Sequence, residues 1–179
     1  MKAGFLLLMI IIPAVLMFTT TIYAKENVTP EAVAIIKDAK GNTTGMATFT
    51  EDTSGLVHIN VNVSGLKPGL HGIHIHNIGN CTYPSFTSAG SHYNPLGKEH
   101  GLNNSKGPHA GDLPNLEVSK NGTANINVTT NRVTLSSGPT TLFTANGTSL
   151  VIHADPDDQM TNPAGNSGAR IACGVIEKK

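Results

Sequence analysis

The chain has 179 residues, enough for one domain with a sizeable core and a short targeting tail. Lys+Arg and Asp+Glu cancel at 12 each, and aromatic residues make up only 4% with no Trp. Neither a basic surface for a phosphate backbone nor a stacking platform for bases is available, which excludes nucleic acid as a partner. The sequence instead holds 17 Asn and 20 Thr, residues suited to turns and strands, so a helical bundle is disfavoured.

The first element in chain order is a targeting segment. Lys2 supplies a positive start, Ala3 to Phe18 is apolar and uncharged, and Thr19 to Ala24 leads to Lys25-Glu26. This order predicts an export signal over residues 1–24 with cleavage after Ala24. The stretch is also about long enough to span a bilayer if left uncut, so retention as a membrane anchor is the alternative. Either way the domain, residues 25–179, is expected outside the cytosol: periplasmic, at the cell surface or secreted. The two cysteines, Cys81 and Cys173, are an even number and are expected to pair in such a compartment. Eight Asn-x-Ser/Thr triplets begin at Asn27, Asn42, Asn62, Asn80, Asn103, Asn121, Asn127 and Asn146, glycan acceptors in a host that glycosylates. A chain this rich in Asn and Thr also makes several by chance.

From Ala32 onward, short apolar alternations recur between turn residues. Ala32–Ile36 and Gly45–Phe49 read as strands joined by a Lys40-Gly41-Asn42 turn. Leu56–Val63 alternates cleanly, with Val57, Ile59, Val61 and Val63 on one face and His58, Asn60 and Asn62 on the other. Further strands are predicted at Thr123–Val128, Leu150–His153 and Arg170–Ile176. Residues 77–113 and 155–169 break the pattern and read as long functional loops. The composite predicts an all-β, antiparallel sandwich or small barrel.

Six of the eight histidines, His71, His74, His76, His92, His100 and His109, fall within 39 residues. His58 reads as an ordinary side chain on the polar face of its strand. In His74-Ile75-His76 a strand would project two imidazoles from one face, a geometry suited to a metal. His92 follows in the loop, His100, His109 and Asp112 form a second set with a carboxylate, and His153 ends a strand. A three-nitrogen, one-oxygen set suits tetrahedral zinc, and four imidazoles suit tetragonal copper(II). Counting donors therefore predicts two metals of different character.

Two segments carry a resemblance. Gly69-Leu70-His71-Gly72-Ile73-His74-Ile75-His76 and Gly168-Ala169-Arg170-Ile171-Ala172-Cys173-Gly174-Val175-Ile176 are similar to the two signatures of the copper/zinc superoxide dismutase family, and the likeness runs from Ala32 to Ile176. The resemblance implies a Greek-key antiparallel β-sandwich or barrel of about eight strands. It implies copper on His74, His76, His92 and His153, and zinc on His92, His100, His109 and Asp112, with His92 bridging the two. Asp157 would hydrogen-bond one ligand of each metal, and His71 would bond backbone near the site. Cys81 and Cys173 match the family's disulfide, and Arg170 its anion-guiding cation. The implied reaction is dismutation of superoxide to dioxygen and hydrogen peroxide by copper cycling beside a structural zinc, with Arg170 and His92 as the catalytic side chains.

Several departures from the animal form are informative. Only four residues separate His76 from Cys81, a spacing closer to bacterial-type members. The loop 155–169 carries Asp155, Asp157 and Asp158 but no lysine or glutamate, and Ala164 lacks a hydroxyl, so anion steering is expected to rely on Arg170 and the metals. The competing reading is a non-catalytic copper/zinc-binding protein of the same fold, against which the presence of all four copper positions together with Arg170 argues. A homodimer is compatible with the family and has no identifiable interface in the sequence.

Overall fold

The structure, a computed structural model, describes residues 29–179; the segment predicted as signal or anchor lies outside the described residues. Strand β1 (Glu31–Asp38) runs into β2 (Thr43–Glu51) through the predicted turn. The Asp38 carboxylate closes it by accepting the N–H groups of Lys40 (2.9 Å) and Asn42 (2.8 Å), and Gly41 supplies the left-handed residue at φ +86°. β3 (Val57–Val63) keeps its alternation: Val57, Ile59, Val61 and Val63 are buried, whereas His58 and Asn62 are exposed. The short β4 (Gly69–His71) and β5 (Ile73–His76) follow, then the long loop, β6 (Leu116–Val118), β7 (Ala124–Thr130), β8 (Ser149–His153), β9 (Arg170–Val175) and β10 (Glu177–Lys178). Among the described residues the only helical element is a single 3-10 turn at Thr87–Ala89.

The main sheet has the antiparallel order β5-β8-β9-β1-β2-β3-β7, with β10 paired to β1. A second pairing, β4 with β6, completes the curl: β4 continues through Gly72 into β5, and β6 turns at Ser119–Thr123 into β7. Consecutive strands β7 and β8 lie toward opposite ends of this order, so residues 131–148 cross over in Greek-key fashion. Among the described residues the strand count is therefore ten, eight of them in the main sheet. The unpredicted β4, β6 and β10 have three, three and two residues, too few to express a period of two.

Inward side chains of the sheet fill the core around Ile36, Phe49, Ile59, Ile73, Leu116 and Leu150. On the solvent face of β3 and β7, Asn60, Asn62, Asn125 and Asn127 join in a closed ring: Asn60 donates to Asn127 (2.6 Å), Asn127 to Asn125 (3.1 Å), Asn125 to Asn62, and Asn62 to Asn60 (2.6 Å). Four of the 17 asparagines thus satisfy one another on an uncharged sheet surface. β8 is buried along its whole length because it has core on both sides. Leu150 and Ile152 face the main core, while Val151 faces a small cluster of Phe86, Ala89 and Cys173 under the loop that follows β5.

Candidate metal centre

Strands β5 and β8 build one wall of the site. His74 lies opposite Val151 and His76 opposite Ser149, so the alternation carries His153, two residues beyond Val151, to the same face. Between β8 and β9 the register shifts: Ile152 pairs with Ala172, but His153 pairs with Arg170, leaving Ile171 as an extra residue. This bulge turns Arg170 onto the face that carries the histidines, which unbroken alternation would have denied it. The loop 77–115 is stitched back onto β5 by its main chain. Tyr93 N–H donates to the Ile75 carbonyl (2.8 Å), and Ile75 N–H to that of Gly111 (2.9 Å), which brings His92 and Asp112 beside the strand.

Two donor groups result, and all their members are buried. One donor atom from each of His74, His76, His92 and His153 lies within 4.8 Å of the others, and the same holds for His92, His100, His109 and Asp112. In the first group His74 Nδ1, His76 Nε2, His92 Nε2 and His153 Nε2 are buried without any hydrogen-bond partner. Each such orphan costs about 1–3 kcal/mol, so four converging on one point fit a cation. In the second group Asp112 Oδ1 is approached by His92 Nδ1 (2.9 Å), His100 Nδ1 (3.1 Å) and His109 Nδ1 (3.3 Å). His92 therefore offers one nitrogen to each group. Asp112 Oδ2 is occupied separately, accepting the N–H groups of Gly101 and His109 at 2.9 Å each.

The remaining nitrogens are tied down from outside. Asp157 lies 2.7 Å from His74 Nε2 through Oδ2 and 3.0 Å from His100 Nε2 through Oδ1, spanning both groups. His76 Nδ1 lies 2.9 Å from the Gly90 carbonyl and His153 Nδ1 3.2 Å from that of Gly168. His71 stays outside both groups, its nitrogens 2.7 Å from the carbonyls of His153 and Lys67. Such contacts fix which nitrogen is free to bind. His58 is remote from them all, 2.8 Å from Asp52.

Electrostatics favour metal binding. Burial pushes His74, His76, His92 and His153 down, His76 to about 2, His92 to about 4 and His153 to about 3. They are neutral at pH 7, with lone pairs free of protons. Burial raises the Asp112 carboxyl, but bonds from His100, His109 and His92 outweigh it and hold that group far below the usual range. Burial also lowers His100, yet Asp112 and Asp157 raise it to about 9, so a cation entering this group displaces a proton.

Arg170 is half-buried and donates from its two terminal nitrogens to the carbonyls of Phe86 (2.7 Å) and Gly90 (2.5 Å). Those carbonyls belong to a loop anchored by the Cys81–Cys173 disulfide, whose second cysteine is three residues beyond Arg170 on β9. An open cleft of about 440 Å³ lined by Pro84, Ser85, Thr87, Gly168, Ala169 and Arg170 leads to the guanidinium. The structure thus brings together His74, His76, His92, His100, His109, His153 and Asp112, the donors that the spacing singled out, and leaves His71 of the clustered histidines outside both groups. Sequence reasoning missed Gly165, Asn115 and Arg132. Gly165 packs on Asp157, Asn115 exchanges two 2.8 Å hydrogen bonds with the Asp157 main chain, and Arg132 donates to the Asp112 carbonyl (2.7 Å). None of the three has a local signal, because each acts across a turn of the chain that only the fold closes.

The family model described as copper/zinc superoxide dismutase (SODC) matches residues 43–176. Superoxide dismutase (Cu-Zn) 2 of Aquifex aeolicus strain VF5 is 46% identical over 148 residues, covering 82% of this chain and 86% of the relative. Superoxide dismutase (Cu-Zn) 1 of the same organism is 44% identical over 146 residues, covering 80% and 86%. Among solved structures, a superoxide dismutase-like protein from Bacillus subtilis superposes with a TM-score of 0.78 at 38% identity, covering 81% of this chain and 97% of that one. A double mutant of a superoxide dismutase-like protein from the same organism, with a tyrosine and a proline replaced by histidine, superposes at 0.77 and 41% identity, covering 80% and 95%.

Proposed function

This chain belongs to the copper/zinc superoxide dismutase family, oxidoreductases that convert superoxide to dioxygen and hydrogen peroxide with copper and zinc, and we propose which of its residues carry that activity. Copper takes His74, His76, His92 and His153, and zinc takes His92, His100, His109 and Asp112. The observation that carries this division is the set of four partnerless nitrogens, with His92 directing its second nitrogen at Asp112. When bound, copper supplies the one-electron couple that the reaction needs, and zinc, which has no second oxidation state, supplies fixed charge.

The residues do the rest. Arg170 attracts the small anion and orients it at the mouth of the cleft, because two carbonyls hold its guanidinium still and it remains charged despite burial. His92 holds or releases a proton at Nε2 while its Nδ1 stays directed at the zinc group, which keeps the ring from turning away. Asp157 orients His74 and His100 together, and His71 pins the main chain of His153. The binding reading without catalysis lacks an observation in its favour, since it assigns no task to Arg170.

Residues 1–24 form the export signal or anchor, and the domain over 25–179 acts outside the cytosol; the disulfide supports this compartment. The mass of the mature protein recovered from cells tests the cleavage, and light scattering on it tests pairing of two copies.

Metal analysis and superoxide dismutation on the purified protein test the assignment, with one copper and one zinc expected per chain. In Arg170→Ala the second-order rate constant should fall about tenfold or more and its dependence on ionic strength should flatten. An unchanged rate with unchanged salt dependence would remove Arg170 from the mechanism.

A further inference from the structure

Of the 12 basic residues only two are arginines, Arg132 and Arg170, and each donates to a main-chain carbonyl beside a donor group. Arg170 borders the cleft. Arg132 follows β7, is half-buried, and donates from Nη2 to the Asp112 carbonyl at 2.7 Å, while its Nε is buried without a partner. A half-buried guanidinium that keeps one buried donor without a partner is costly.

The benefit falls on Asp112. Its Oδ2 is held by the N–H groups of Gly101 and His109, and its own N–H donates to the His109 carbonyl (3.3 Å). Its main chain also bridges to His74. The Arg132 bond to the carbonyl completes this fixation, so that Oδ1 alone faces the three Nδ1 atoms. Arginine suits the position because its guanidinium is more weakly hydrated than an ammonium and tolerates burial better. Burial pulls the guanidinium down, and the Asp112 carboxylate opposes that shift.

We propose that Arg132 is a positioning residue for the zinc group, clamping the Asp112 main chain so that its carboxylate is aimed before the metal arrives. The proposal rests on the reading of His92, His100, His109 and Asp112 as the zinc ligands. A partner outside the ligand set is expected to contribute about 10–100-fold in metal affinity.

The test uses the purified full-length protein and its R132M, R132K and D112N variants, with zinc and copper affinities measured by chelator competition. R132M should bind zinc about 10–100-fold more weakly than the parent, with copper affinity and far-ultraviolet circular dichroism unchanged. Cobalt(II) placed in the zinc group should show a shifted visible absorption spectrum. R132K keeps the charge on a flexible ammonium and should show the same changes at smaller amplitude. Parent-like or tighter zinc binding in R132M overturns the proposal, as does an equal loss of both metals in a folded variant or a loss in R132K as large as that in R132M. D112N separates the two readings. If D112N binds zinc as the parent does, the zinc assignment itself has failed; a weakened D112N beside a parent-like R132M removes Arg132 alone.

Discussion

A methyl group at Gly165 would sit 1.6 Å from Asp157 Oδ1 and 2.7 Å from His100 Nε2, and the residue stands at φ +60°. Neither neighbour can move freely, because Asp157 holds His74 as well as His100. Gly165→Ala should therefore weaken both metals, each by about 10–100-fold, whereas the Arg132 variants weaken zinc alone. Competition titrations with both ions decide it, and a selective effect on one metal would mean that Asp157 does not couple the two groups. At this scale the sequence was legible where chemistry and spacing coincide. His74 and His76 stand two apart on a strand, and Asp112 follows His109 by three. It was silent on Gly165 and Arg132, since a glycine among many and a lone arginine carry no mark of what they touch.

Elements matter through the places where regular pairing stops. The extra residue Ile171 in β9 puts Arg170 opposite His153, and the disulfide holds the carbonyls that receive the guanidinium. Phe86, at φ +56°, is fully buried in the small cluster below that loop, so a stretch that reads as irregular has a core of its own. A comparable lock holds the crossover after β7. Glu51, at the end of β2, accepts the N–H groups of Leu135 (2.7 Å) and Ser136 (2.6 Å) and the Thr134 hydroxyl (2.8 Å). Burial raises its carboxyl, but those bonds outweigh burial and hold it below the ordinary value of 4.5. A carboxyl depressed on folding contributes stability that is fully present above its unfolded value and is lost as pH falls through the folded one. Glu51→Gln should cost about 1–3 kcal/mol at pH 7 by denaturant titration. The difference from the parent should shrink as pH drops below 4.5, where the parent also protonates. A difference that stays constant down to pH 3 would show that Glu51 does not carry this linkage.

For the molecule as a whole, two kinds of cohesion divide the chain. The seven longer strands were legible because each buries alternate apolar residues against one core, and that order owes nothing to metal. The loops 77–115 and 154–169 contribute few large side chains to that core and are drawn together mainly by polar contacts around His74, His92, His100, Asp112 and Asp157. A net charge of zero fits a small anionic substrate met by local field, and it leaves no long-range repulsion to oppose the packing of these loops. Without cations the four partnerless nitrogens together cost about 4–12 kcal/mol, comparable with the whole stability of a typical domain. Ions that bind only the folded chain recover that cost, so their removal should lower the melting temperature. At about 2–4 °C per kcal/mol for a domain of this size, chelation should lower it by about 8 °C or more. Hydrogen exchange should rise in both loops and at the ends of β5 and β8, while β1, β2 and β3 keep their protection until global unfolding. If chelation left the loops as protected as before, the donor groups would be accessory to a fold that apolar packing already completes. If the protection of β1–β3 fell in step with the loops, the two kinds of cohesion would be one.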